Sequence, residues 1–190
     1  METKNIMIVG VGGQGTLLAS KLLGRILLEN GYDVKVSEVH GMSQRGGSVV
    51  TYVRYGDKVY SPIIDKGEAD FILSFELLEA ARWVEYLKKG GVLLTNTQRI
   101  NPMPVITGTA DYPKTLEAKL SALPIRLDAM DALGLALRAG SSKAVNLVLL
   151  GRLSRYFHFT DEQWQDAIEK SVPEKFLELN KKAFALGAEA

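Results

Sequence analysis

The run Gly10-Val11-Gly12-Gly13-Gln14-Gly15 fits the spacing G-x-G-x-x-G. Such a run, between a strand and a helix, opens the backbone to a phosphate, and the unsatisfied amides and dipole of the helix start favour an anion there. The expected division of labour is a tight turn at Gly10, close ligand approach at Gly12 and close packing of helix on strand at Gly15. Glu38 lies near the ~20-residue offset at which a dinucleotide site keeps its ribose-binding acid. The glycines could equally serve only a sharp turn and tight packing, and Glu38 could be a solvated strand end. A second polar segment runs His40-Gly41-Met42-Ser43-Gln44-Arg45-Gly46-Gly47. Arg45 could supply a charge-assisted, bidentate contact to the same anion, with neutral hydrogen bonds from Ser43 and Gln44. Gly46 and Gly47 permit backbone conformations closed to other residues. The plainer reading of Arg45 is a solvated loop arginine. His40 reads as a hydrogen-bonded loop histidine rather than a base, Asn96 as a capping or ligand-facing residue, and Asn146 as a buried amide in need of partners. Trp83 and Trp164 read as core or interface.

The elements that must position these residues follow from hydrophobic periodicity. Ile6 to Val9 is a short apolar run typical of a strand buried on both faces. Leu18, Leu22 and Ile26 define a helical face that ends at Gly31, and Asp33 to Val39 alternates as a second strand. The first 39 residues thus read as a βαβ unit, whose parallel strands would bring the His40–Gly47 loop to the same carboxyl edge as the glycine run. Ser48–Tyr55, the turn Gly56-Asp57 and Val59–Ile64 read as an inserted β-hairpin, with Pro62 confining its second strand to an edge. Further strands are expected at Phe71–Phe75, Val92–Thr95, Val105–Ile106 and Ile125–Leu127. Helices are expected at Glu76–Lys88, Pro113–Leu120, Ala129–Arg138 and Ala144–Phe157, the last nearly all apolar and buried. Thr160 and Gln163 form a capping box, and Pro173 suits the first turn of a final helix. The fold class is α/β: a Rossmann-like three-layer domain with a mostly parallel sheet, a hairpin insertion and a helical C-terminal part, spanning 1–190 as one domain.

Composition narrows the function. The 190 residues are 46% hydrophobic and 24% charged, as in an ordinary globular protein. A net charge of +1 gives no support to nucleic-acid binding, which usually needs a basic excess. With no cysteine, the chain has neither a thiol nucleophile nor thiolates to hold zinc or an iron–sulfur cluster, and with two histidines it offers little for a histidine-rich metal site. Lys21 and Arg25 break the longest apolar helical stretch, so no membrane span is expected and the cytoplasm is the default location.

The glycine run, the segment Ser20-Lys21-Leu22-Leu23-Gly24 and the stretch from Glu38 through Gly47 to Val50 together resemble the gamma-type domain of 2-oxoacid:ferredoxin oxidoreductases, nearest in character to the indolepyruvate type. The resemblance extends through Tyr60-Ser61-Pro62, the turn Gly67-Glu68-Ala69-Asp70 and Asn146–Gly151. It implies CoA-dependent oxidative decarboxylation of a 2-oxoacid to acyl-CoA, carbon dioxide and reduced ferredoxin. It further implies that thiamine diphosphate, Mg and 4Fe–4S clusters sit in a large partner subunit, through which ferredoxin is reached. The missing cysteines and the missing G-D-G…N pattern, for which Gly56-Asp57 is only a turn, fit a chain that holds no cofactor itself. The resemblance places Gly10, Gly12, Gly13, Gly15, Ser43, Gln44, Arg45 and Gly46 at the coenzyme A side of such a site, with no catalytic residue of the chain's own. Two other readings stay open: a nicotinamide-dependent dehydrogenase or nucleotide-binding module, and an assembly module whose glycines bind nothing.

Overall fold

A computed structural model describes residues 2–38 and 46–190; His40, Ser43, Gln44 and Arg45 lie outside them. Ile6, Met7, Ile8 and Val9 are wholly buried because β1 (Lys4–Val11) runs through the middle of the sheet with helices on both faces. α1 (Thr16–Glu29) then crosses to β2 (Asp33–Glu38). β3 (Ser48–Gly56) returns between β2 and β1, antiparallel to both. β4 (Ala69–Ser74), β5 (Leu87–Asn96) and β6 (Arg126–Met130) add in parallel on the other side. Among the described residues the sheet order is β2-β3-β1-β4-β5-β6.

Alternation along the strands divides the interior into two layers. Ile6, Ile8, Leu73 and Leu94 face α1, α5 (Ala132–Ala139), α6 (Val145–Ser154), α7 (Asp161–Glu169) and α8 (Leu177–Glu189). Met7, Val9, Ile72 and Leu93 face α2 (Leu77–Trp83) and α4 (Leu116–Ser121). α6 is buried along almost its whole length because it lies between the sheet and α8. The two helices touch backbone to backbone: a Cβ on Gly151 would collide with the Phe184 carbonyl, and one on Gly187 with that of Val148. The capping box at Thr160 and Gln163 forms as expected.

Four local expectations are corrected. β2 does run in the direction of β1, but β3 separates the two, so the simple βαβ pair is replaced by a pair with an antiparallel strand inside it. The hairpin does not form: β2 and β1 occupy both edges of β3, Pro62 lacks a donor, and Val59–Ile64 is irregular. That segment is tied down instead by Val59 N–H donating to Asp33 Oδ2 at 2.8 Å and by Arg54 Nη1 donating to the carbonyls of Ser61 (3.0 Å) and Ile63 (2.8 Å). The helix from Glu76 stops at Trp83. β5 starts at Leu87, which pairs with Ala69, while Phe71 pairs with Val92; residues 88–91 therefore bulge, with Gly90 at φ +75°. Val105 and Ile106 belong to a short helix, α3 (Met103–Ile106), because Pro102 starts a helical turn there. Smaller shifts occur later: Ala129 lies within β6 rather than starting a helix, and Pro173 precedes a 3-10 turn before α8.

A buried carboxylate fastens the amino ends of the strands. Asp70 accepts the Asn5 amide at 2.9 Å, Lys4 Nζ at 3.2 Å, and Lys88 Nζ. Burial alone would raise this carboxyl, but the hydrogen bonds from Lys88, the Asn5 amide and Lys4 outweigh it and hold it below the ordinary carboxylate range. A depressed native pKa stabilises the fold above the unfolded value, about 3.9, and that stabilisation is lost as pH falls through the native value. Asp70→Asn is expected to lower stability at neutral pH by roughly 1–3 kcal/mol. In urea denaturation series, the gap to the parent protein should close as pH drops below about 4.

Candidate anion-binding edge

The carboxyl ends of β1, β4, β5 and β6 share one edge of the sheet, where open α/β sheets bind ligands. Gly10 is still in β1, opposite Val49, so it does not make the turn. Its missing side chain makes room: a Cβ would stand 2.9 Å from both Phe75 Cβ and Gln14 Oε1. Gln14 knits the loop together, Oε1 accepting the Val11 amide at 2.7 Å and Nε2 donating to the Phe75 carbonyl at 3.0 Å. The Gly12 amide donates to the Gly47 carbonyl at 2.8 Å, which spends it on the protein rather than on a ligand. The same bond brings the end of the His40–Gly47 segment against the glycine run, and Gly46 takes φ +93°. Gly13 (φ +98°) and Gly15 (φ +87°) hold left-handed turns before α1. Gly15 packs on α6 rather than on a strand, since a Cβ there would lie 2.9 Å from Asn146 Nδ2. Asn146 donates to the Gly15 carbonyl at 3.4 Å, the partner its burial requires. No side chain caps α1, so its first amides point toward the edge.

Two hollows open on either side of Gly13 and Gly15. One, of about 260 Å³, has Thr16, Leu17, Glu38 and Thr51 in its walls. The other, of about 520 Å³, is bounded by Gln14, Gln98, Ser142 and Lys143. Lys143, Ser142 and Gln98 were not legible as site residues: more than 80 residues of chain separate them from the glycine run, and only the fold brings them to it. Glu38 accepts the Ser20 hydroxyl at 2.6 Å and stays half-buried, so it is not a free strand-end acid. Asn96 is structural: Oδ1 accepts the Ala132 amide at 3.1 Å and Nδ2 donates to the Phe75 carbonyl at 3.2 Å. Glu76, also buried, caps α2 through the Glu79 amide and takes hydrogen bonds from the Ile100 amide (3.0 Å) and the Tyr112 hydroxyl (2.6 Å), pinning the loop after β5. Burial, then the bond to Glu76, pushes the Tyr112 phenol well up, so it remains a donor. Trp164 is core; Trp83 is half-buried, its indole N–H 3.3 Å from Glu79.

These groups can hold an anion, but they pair no nucleophile with a base. Among the described residues no set of three His, Cys, Asp or Glu could hold a metal, and no helix is long and apolar enough to cross a membrane. A dinucleotide site is also disfavoured by the topology. With β3 inserted, Glu38 stands two strand spacings from β1, about 9–10 Å, instead of one. The arrangement is that of an α/β domain whose carboxyl edge presents the uncapped start of α1 beside Gly13 and Gly15.

Residues 5–190 match the family described as pyruvate ferredoxin/flavodoxin oxidoreductase, and the chain belongs to that family. It is 47% identical to indolepyruvate oxidoreductase subunit IorB of Thermococcus kodakarensis over 195 residues, covering 100% of this chain and 96% of that protein. The figures are the same for the Pyrococcus horikoshii subunit of that name. Among solved structures, the gamma subunit of a keto/oxoacid ferredoxin oxidoreductase from Geobacter sulfurreducens superimposes with a TM-score of 0.73 at 26% identity, over 98% of this chain and 96% of that one. A 2-oxoglutarate:ferredoxin oxidoreductase chain from Magnetococcus marinus, with 2-oxoglutarate, coenzyme A and succinyl-CoA bound, shares the fold (TM-score 0.76, 17% identity); this chain is covered completely and that one over 31%.

Gly13 and Gly15 differ in surroundings, which yields a test. At Gly13 no atom lies within 4 Å of an added Cβ, so Gly13→Ala should cost only the backbone strain, about 1–2 kcal/mol. Gly15→Ala adds a clash with Asn146 and should cost more. Urea denaturation of the two variants is expected to show that order.

Proposed function

We propose that this chain is the small, cofactor-free subunit of an indolepyruvate:ferredoxin oxidoreductase. The observation that carries the reading is the 47% identity, end to end, with two indolepyruvate oxidoreductase subunits. In this reading the chain acts as one domain in a cytoplasmic, heteromeric enzyme that converts an arylpyruvate and coenzyme A into acyl-CoA, carbon dioxide and reduced ferredoxin. Thiamine diphosphate, Mg and the 4Fe–4S clusters belong to the large partner subunit; this chain has no cysteine with which to bind a cluster. Its contribution is the anion-accepting edge. Gly13 and Gly15 keep the loop open, Gly10 and Gly12 shape it, and Ser43, Gln44, Arg45 and Gly46 supply contacts to a coenzyme A phosphate. The reading as a nicotinamide-dependent dehydrogenase falls away, since the relatives are subunits of oxoacid oxidoreductases and β3 displaces Glu38 from the ribose position.

Co-expression with the large subunit should give a brown complex that reduces ferredoxin with an arylpyruvate, while the purified chain alone is colourless and inactive. In the complex, Arg45→Ala should raise the KM for coenzyme A about tenfold with little change in kcat, as expected for loss of one charge-assisted phosphate contact. Turnover by the chain alone would overturn the subunit reading. Unchanged kinetics in the variant would reduce the edge to a scaffold.

A further inference from the structure

The end of the sheet remote from the glycine edge carries another hollow, of about 370 Å³. Its walls are six aromatic rings: Tyr32, Tyr55, Phe71, Tyr156, Phe157 and Phe159. They form one connected array. Phe157 lies nearly parallel to Phe71 (6.1 Å, 25°) and to Phe159 (5.5 Å, 20°), and Tyr32 meets Tyr55 edge-on at 5.3 Å. Apart from Tyr55 these rings are only partly buried, and all six border the hollow. The bulge in β5 keeps it open: Gly90 and Gly91 border the hollow without side chains, and a Cβ on Gly90 would meet no atom within 4 Å.

The rim is cationic. Lys4, Lys88 and Arg126 stand there with His158, against the single carboxylate of Asp70. Asp70 is already occupied by the two lysines and the Asn5 amide. Arg126 has no carboxylate partner among the described residues; its guanidinium lies 6.0 Å from the Tyr156 ring centroid. Aromatic walls with an uncommitted guanidinium at the mouth define a ligand with a flat ring and a nearby anionic group.

We infer that this hollow is a binding site for a small planar aromatic carboxylate, of the size of an arylacetate or arylpyruvate, with the ring among Phe71, Phe157 and Phe159 and the carboxylate on Arg126. The inference does not depend on the function proposed above, because the site lies at the opposite end of the sheet from the glycine edge and needs no partner subunit.

The test is a two-dimensional amide NMR titration of the full chain with indole-3-acetate, indole and isovalerate. Indole-3-acetate should shift the Gly90 and Gly91 amides saturably, with a Kd below about 1 mM, and leave the Gly13 and Gly15 amides in place. Indole, which lacks the carboxylate, and isovalerate, which lacks the ring, should each bind at least about tenfold more weakly. Arg126 is an exposed side chain, so Arg126→Glu should keep the folded spectrum yet weaken indole-3-acetate about tenfold or more, while Arg126→Lys should weaken it less. Absence of saturable shifts at Gly90 and Gly91, shifts confined to the glycine edge, indole binding as tight as that of indole-3-acetate, or an unchanged Kd in Arg126→Glu would each overturn the assignment.

Discussion

Strand β1 has two edges to satisfy, and β3 takes one of them in antiparallel register, from Lys4 opposite Tyr55 to Val11 opposite Ser48. Much of what distinguishes this molecule from a nucleotide-binding βαβ unit follows from that pairing. β2 is pushed to the outside of the sheet and Glu38 moves a strand further from the glycine run. With both edges of β3 occupied, the chain beyond Gly56 cannot pair back on β3, and Val59–Ile64 is fixed by Asp33 and Arg54 instead of by a partner strand. Because β3 starts beside the end of β1, Gly47 falls within hydrogen-bonding distance of Gly12. The second polar segment is thus tethered to the glycine run by backbone geometry.

The glycine run shows how a motif and its local function can part company. The pattern correctly marked a strand, a turn and a helix start, because those depend on residues next to one another in the chain. The individual roles did not follow the pattern. Gly10 avoids Phe75 and Gly15 avoids Asn146, residues about 65 and 131 positions away, and no local rule contains that information. Gln14, an x position in the motif, turns out to close the loop through Val11 and Phe75. The failures elsewhere have the same origin. Gly56-Asp57 is a good hairpin turn in isolation, and Glu76–Lys88 is good helix in isolation. The tertiary structure overrode both, the first because β3 was already paired and the second because Leu87 is buried opposite Ala69. The buried helix α6 was legible because its nearly all-apolar run, with few polar residues, leaves little solvated alternative.

The chemistry of the side chains agrees with the topology on a division of labour. The buried acids are consumed in structural work: Glu76 in capping α2 and holding the loop after β5, Glu79 in contacts with Ser48, Arg82 and Trp83, and Asp70 in fastening the strand starts. None is left free beside a nucleophile. Among the described residues, the carboxyl edge carries the uncapped start of α1, the left-handed Gly13 and Gly15, and Lys143, the kind of groups that anion sites use. Membership of a family of multi-subunit oxoacid oxidoreductases is the setting in which such a chain makes sense.

The two ends of the sheet are built by opposite means. At the carboxyl end, the hollows lie around glycine backbone, and polar side chains such as Thr16, Gln98 and Lys143 share their walls with apolar ones. At the amino end a β-bulge removes side chains from the sheet surface, and half-buried rings close around the gap under a rim of cations. A bulge that served only to end pairing would leave aromatic surface to be covered by the nearest helix, as Trp164 and Phe184 are covered between α7 and α8. Here the segment Tyr156–Phe159, which follows α6, lines the same hollow as Gly90 and Gly91. α6 packs on Gly15 through Asn146 at one end and leads into Tyr156–Phe159 at the other, so one buried helix, in close backbone contact with α8 at Gly151 and Gly187, runs from the glycine edge to the aromatic end.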